Sequence, residues 1–424
     1  MAVYTVVKTI GTTSRQYSTL QAWEDGAPAN LTTAEKSAAT TFLTGTFTVG
    51  MSLTFVGSGA TGKLLETDST GPGTGTYIVY DITAGNPAAS DTVTGTGGSP
   101  PTCVLTSGTA DNVGVIWQGQ CYNDSTFTAN LVLSGSTSSA SCYKELTTAS
   151  GQSFRDNANV QTNALRYNTA NGVSVGVNTN YVVKIIAASE DYARVSNLQI
   201  KQTGSGTGNC IEGSDSGAGN GAIFSNLICE SNKATTRIKT GQIMKNCLLI
   251  STAASAVTSI ATTNSGGSFY NCTLASIGSV ATNGFSNSYA GARTVQNCGF
   301  FNATNATDGT GTYTFTTCAT DIASPPSGCT TVAYSTSSGA KFQNITSGSH
   351  DFRIQSGSSM IDVGTTDSTN AANDIAGTAR PSGSAYDIGC WEYVSAGGGG
   401  SGVVTFNPPL MGGFGHGFAA GMQG

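Results

Sequence analysis

The chain has 424 residues, a net charge of −6 and charged side chains at only 10% of positions, against about 25% in an average globular domain. With 38% hydrophobic residues it is not an ordinary disordered chain. Its 18 basic residues are scattered, which excludes the clustered cationic face that nucleic acid needs, and its apolar runs are too short to span a membrane.

Residues 1–32 read as an end-piece. Val3, Val6 and Val7 suggest a first strand. Ser18-Thr-Leu-Gln21 fits a capping box that starts a short helix, with Leu20 and Trp23 on one face of it. The start, Ala2-Val-Tyr-Thr-Val-Val-Lys8, lacks the basic stretch and cleavage site of a signal peptide, so the expectation is synthesis in a cytoplasm. Residues 33–112 differ in texture. Val49–Phe55 and Tyr77–Ile82 lie between Gly/Thr-rich tracts, which predicts a small antiparallel β insertion projecting from the body.

From residue 113 to 350 strands and Gly/Asn/Ser loops alternate. In the middle one phrase recurs: Val195-Ser-Asn-Leu-Gln-Ile200, Phe224-Ser-Asn-Leu-Ile-Cys229, Met244-Lys-Asn-Cys-Leu-Leu249, Phe269-Tyr-Asn-Cys-Thr-Leu274, Val295-Gln-Asn-Cys-Gly-Phe300 and Phe315-Thr-Thr-Cys-Ala-Thr320. Self-similarity at 20 to 29 residues marks a stacked repeat. The positions one and three after the asparagine keep the period of two of strand residues facing one interior. The position two before it breaks that period, so the chain must bend at Asn197, Asn226, Asn246, Asn271 and Asn297. Asparagine tolerates the left-handed backbone of such a corner, and stacked amides can hydrogen-bond up the column. Cys247, Cys272, Cys298 and Cys318 fall in one inward column and read as reduced core packing.

Residues 351–393 carry Asp351-Phe-Arg-Ile354, Met360–Gly364, Asp374–Pro381 and Tyr386-Asp-Ile-Gly-Cys-Trp-Glu-Tyr393. The tail, 394–424, opens on a Gly-rich linker. Beyond it Phe406, Pro408, Leu410, Met411, Phe414 and Phe418 form short apolar groups broken up by glycines and cannot build a core. They read as an arm that orders on a partner.

These segments carry a resemblance. The Asn-Cys phrase resembles the usual corner of right-handed parallel β-helix proteins. Tyr17–Glu24 resembles the N-terminal cap of β-helix proteins common in bacteriophage genomes. Residues 33–112 resemble short modules of phage fibre proteins, and the Asp-Ile-Gly-x-x-Glu phrase at Asp387 resembles the closing segment of many right-handed β-helices, with Cys390 where alanine is usual. The resemblance implies an all-β, right-handed parallel β-helix on the surface of a virion, present in several copies or as a homo-oligomer. Its partners would be other capsid or tail proteins, with host surface glycan as a possible ligand. With the N-terminus taken up as a cap, attachment falls to the C-terminal arm, which favours a capsid decoration or head-surface protein over a tail fibre or tailspike.

Chemistry is sparse in the sequence. Glycoside hydrolysis needs two carboxyl groups about 5–10 Å apart. Glu212 and Asp215 in a Gly-rich loop, and Glu230, are the carboxylates a glycan-cleaving alternative would use. Glu190 and Asp191, as strand neighbours, would point to opposite faces. No C-x-x-C pair occurs, and His350 and His416 are the only histidines, so the expectation is neither metal nor cofactor. The reading is of a scaffold.

Overall fold

The computed structural model describes residues 3–395, apart from 89, 107–110, 157–159, 179–180, 187–189, 205–208, 214–219, 240, 256, 265, 288–290 and 310. The fold is all-β, with 43% of the described residues in strands and 4% in helices. From Arg194 to Thr320 the strands return in rotation to three parallel ladders. Ile223–Ser225, Ile228–Ser231 and Thr236–Lys239 contribute one strand to each. Ile243–Lys245, Leu248–Ser251 and Ser259–Asn264 follow, then Ser268–Tyr270, Thr273–Ser276 and Ala281–Asn287. The first ladder reaches Thr312–Thr316, the second Cys329–Thr331 and the third Ala303–Thr307.

The register stacks like on like. On the first ladder Val195, Phe224, Met244, Phe269, Val295 and Phe315 are successive partners. On the second, Ile200, Cys229, Leu249, Leu274 and Phe300 are. All lie in one continuous core between the ladders, together with Cys247, Cys272, Cys298 and Cys318. All eleven cysteines carry free thiols. Burial pushes the thiols of Cys247 and Cys298 well up, which suits packing and opposes reactivity.

The N-terminal strand Val3–Ile10 pairs in parallel with Asp111–Cys121. The helix Leu20–Asp25 buries Leu20 and Trp23, and Trp117 Nε1 donates to Trp23 O at 3.1 Å. Its cap differs from the sequence expectation. Thr19, not Ser18, accepts from Ala22 N. Gln21 turns away to the body, accepting from Val132 N at 2.9 Å. One ion cluster pins this helix down. Lys144 Nζ donates to Glu24 at 2.6 Å, to Glu190 at 2.9 Å and to Ser134 O at 2.6 Å, all three ionic side chains being buried.

Between Ala34 and Leu105 the strands pair antiparallel in a ring that closes on itself. Ala34–Thr44 pairs with Tyr77–Ala84, and pairing continues through Thr61–Thr67, Ser52–Val56, Thr92–Thr94 and Thr102–Leu105 back to Ala34–Thr44. Closure removes the exposed edges an open insertion would carry. Phe42, Phe55, Leu64, Tyr80 and Val93 fill its own core. The module does not merely project: Leu65 and Val79 join the main core, and Lys8 Nζ donates to Leu65 O at 3.5 Å. Burial holds that ammonium down to about 7.

The C-terminal segment packs against the side of the ladders. Asp351–Ile354 pairs antiparallel with Phe342–Asn344. This strand and the residues beyond it spread over the outer face of the second ladder, where Ile228, Leu248, Ile250, Ala275 and Phe301 meet Phe352, Met360, Ile375, Ile388 and Trp391. In its middle the second ladder is therefore buried on both faces, and every residue of Leu248–Ser251 and Thr273–Ser276 is buried.

Candidate functional site

The bend residues sit between first-ladder and second-ladder strands in the left-handed region: Asn197 at φ 65°, Asn226 at 53°, Asn246 at 52°, Asn271 and Asn297 at 51°. Thr317 takes the sixth corner at 51°, an uncommon conformation for a β-branched residue. Its hydroxyl is 2.7 Å from that of Thr365. The amide column is broken rather than continuous. Asn226 Nδ2 donates to Asn197 Oδ1, and Asn297 Nδ2 to Asn271 Oδ1, both at 3.2 Å. Asn246 instead donates to Asn373 O at 2.7 Å. Asn297 exchanges bonds with the backbone of Thr365, at 2.6 and 2.8 Å. The column is the seam to which the C-terminal segment is sewn.

The candidate carboxylates separate. Glu212 stands on the third ladder between its register partners Lys184 and Arg237, 2.8 Å from Lys184 Nζ. Alternating charge up a ladder relieves the repulsion that like charges in register would create, so this position has a packing account. Asp215 and the arm residues Phe406, Pro408, Leu410, Met411, Phe414 and Phe418 lie outside the described residues. Glu190 belongs to the buried cluster with Lys144 and Glu24.

Glu230 is different. It is buried on the second ladder, and a cleft of about 410 Å³ opens beside it. Its register partner on the preceding repeat is Lys201, whose Nζ is 3.3 Å from Oε2. His350 Nε2 is 2.9 Å from Oε1, and Tyr167 N donates to the same oxygen at 2.9 Å. Burial works to raise the Glu230 carboxyl, but the bond and charge of His350, with Lys201, hold it below its ordinary value. Arg166 lines the same cleft and donates through Nη1 to Gly348 O at 2.9 Å. Lys201 Nζ lies 5.2 Å from the Tyr167 ring centroid. A carboxylate held ionised by three donors is poorly suited to give up a proton, and Glu230 is the one carboxylate among the described residues lining the cleft.

Part of this site had a sequence signal. Lys201 and Glu230 both stand four places after their corner asparagines, so the repeat alone stacks them. Arg166, Tyr167 and His350 had none, because they arrive from segments outside the regular repeat. Among the described residues no cluster of three or more potential metal ligands forms, and no helix is long and apolar enough to cross a membrane. Comparison with family models, with curated proteins and with solved structures finds no match in any of the three.

Proposed function

We propose that the chain is a right-handed parallel β-helix that serves as a structural surface protein of a bacteriophage particle, a capsid decoration or head-surface protein held through residues 394–424. The observation that carries the scaffold reading is the rotation of strands through three in-register parallel ladders around one unbroken core. Parallel crossovers are right-handed in about 98% of cases, which supports the hand. The engagement of Glu190, Glu212 and Glu230 in ion pairs supports a load on structure rather than on chemistry. Particle location rests on the sequence resemblance of the cap and closing phrases, and attachment on the glycine-spaced aromatics of the tail. Deletion of residues 403–424 tests it. The truncated protein should keep its thermal transition and be lost from purified particles; unchanged incorporation removes the arm from the account.

A second reading, a tail fibre or tailspike that binds host polysaccharide, is favoured by the polar cleft beside Glu230. Purified protein that binds or depolymerises host surface glycan would select it.

A further inference from the structure

We propose that the cleft beside Glu230 is a binding site for a small hydroxylated organic anion, a polyol or sugar unit bearing a carboxylate or phosphate. The charge balance of the cleft leads there. Glu230 is already matched by Lys201 and His350. Arg166 is then an additional cation in the same wall, in a protein whose net charge is negative. An unbalanced cation beside a cleft is an anion site in waiting.

Donors remain after the internal contacts are counted. Lys201 has three N–H groups and one close acceptor, Glu230. Arg166 has five and spends one on Gly348 O. His350 contributes a further observation. It lines the cleft with its side chain 4% exposed, and its Nδ1 is buried without a hydrogen-bond partner.

Size and lining narrow the class. The cleft's volume falls in the range of small-molecule sites, roughly 300–1,000 Å³, too large for a bare ion. Asn168 and Thr252 add neutral hydrogen-bonding groups and Ile277 an apolar patch, the mixture a ring with hydroxyls uses. The inference concerns the isolated chain and does not depend on where on a particle it sits.

The test is calorimetric titration of the full chain with four probes: trigalacturonate, glucose 6-phosphate, inorganic phosphate and neutral maltotriose. Binding of trigalacturonate or glucose 6-phosphate is expected, and which of them binds identifies the carboxylate or the phosphate source. Arg166→Gln and Lys201→Gln should each weaken that binding at least tenfold, while Lys233→Gln leaves it unchanged. Thermal unfolding of each variant separates lost binding from lost fold; Arg166, which stands outside the ladder strands, keeps the test decisive if Lys201→Gln unfolds. The proposal is overturned if neither organic anion binds, if maltotriose binds equally, if inorganic phosphate binds as tightly as the organic anions, or if neither cleft variant weakens binding.

Discussion

Glu230 and His350 stand 120 residues apart in the chain and meet at 2.9 Å. The first belongs to the regular ladders and the second introduces the C-terminal segment. Around them Leu165 N donates to Asp351 Oδ1 at 3.0 Å and Arg166 to Gly348 O. The C-terminal segment is thus bound to the second ladder by polar contacts at its start, by apolar packing across its middle and by the asparagine seam along its side.

Removing the histidine should loosen that attachment. Breaking a buried ion pair costs about 3–5 kcal/mol when one partner is deleted. His350→Ala is expected near the lower end, because Lys201 and the Tyr167 amide remain. The pair also sets an acid limb. Since the folded carboxyl is held below its ordinary 4.5, its contribution is complete above that pH and lost as pH falls through the lowered value. Urea unfolding between pH 3 and 7 should show this limb flattened in Glu230→Gln. A His350→Ala variant as stable as the parent would remove the pair from the account.

The seam gives a sharper case at Asn297. It combines a left-handed backbone, costing about 1–2 kcal/mol for a residue with a Cβ and no local compensation, with two bonds to Thr365 and one to Asn271. Asn297→Ala should destabilise by about 2–4 kcal/mol. Asn297→Gly should recover the backbone part only. If glycine restores full stability, the hydrogen bonds contribute nothing and the seam is steric.

Phe269 tests the inward column. Its ring is buried in register between Met244 and Val295 and lies 5.2 Å from that of Phe285. Phe269→Ala should cost about 3–5 kcal/mol in chemical unfolding. A near-neutral result would mean that the column is not close-packed.

The asparagine phrase made much of this fold legible, because a bend with a fixed residue type and two inward columns leaves little freedom of register. The closing of the 33–112 module was not legible, since the return of Thr102–Leu105 to Ala34–Thr44 is a long-range pairing with no local mark. The cover on the second ladder had a signal that the alternation argument passes over. Leu248-Leu-Ile250 is a continuous apolar run, and a strand buried on both faces reads as one. The cleft was half visible: Lys201 over Glu230 follows from the repeat, while Arg166 and His350 come from irregular segments that no periodicity can place.

Asp387 carries the opposite pH dependence to Glu230. Burial raises it to about 7, against the pull of the Tyr393 amide at 2.6 Å. A carboxyl whose folded value is raised stabilises fully below its ordinary 3.8 and loses that contribution as pH climbs through the folded value. Stability should therefore decline between pH 4 and 7 through this group. Asp387→Asn lowers stability overall, because both oxygens accept backbone bonds, but should flatten that slope. An unchanged slope in thermal unfolding across the window would assign the decline elsewhere.

Lys144 is the test of the N-terminal cap. It is the cation that holds Glu24 of the helix and Glu190 of the body together, and all three are buried. Lys144→Met keeps the side-chain volume and leaves two carboxylates facing each other without a counterion, which should cost about 3–5 kcal/mol at neutral pH. Burial already pushes Glu190 up, and loss of the ammonium pushes it further. The penalty should therefore grow as pH rises from 5 to 8 and shrink in acid, where one carboxyl takes a proton. Adding Glu190→Gln to Lys144→Met should recover part of the loss, and the recovery should be larger at pH 8 than at pH 5. A penalty independent of pH, with no rescue in the double variant, would show that Lys144 acts through its aliphatic stem and not through its charge.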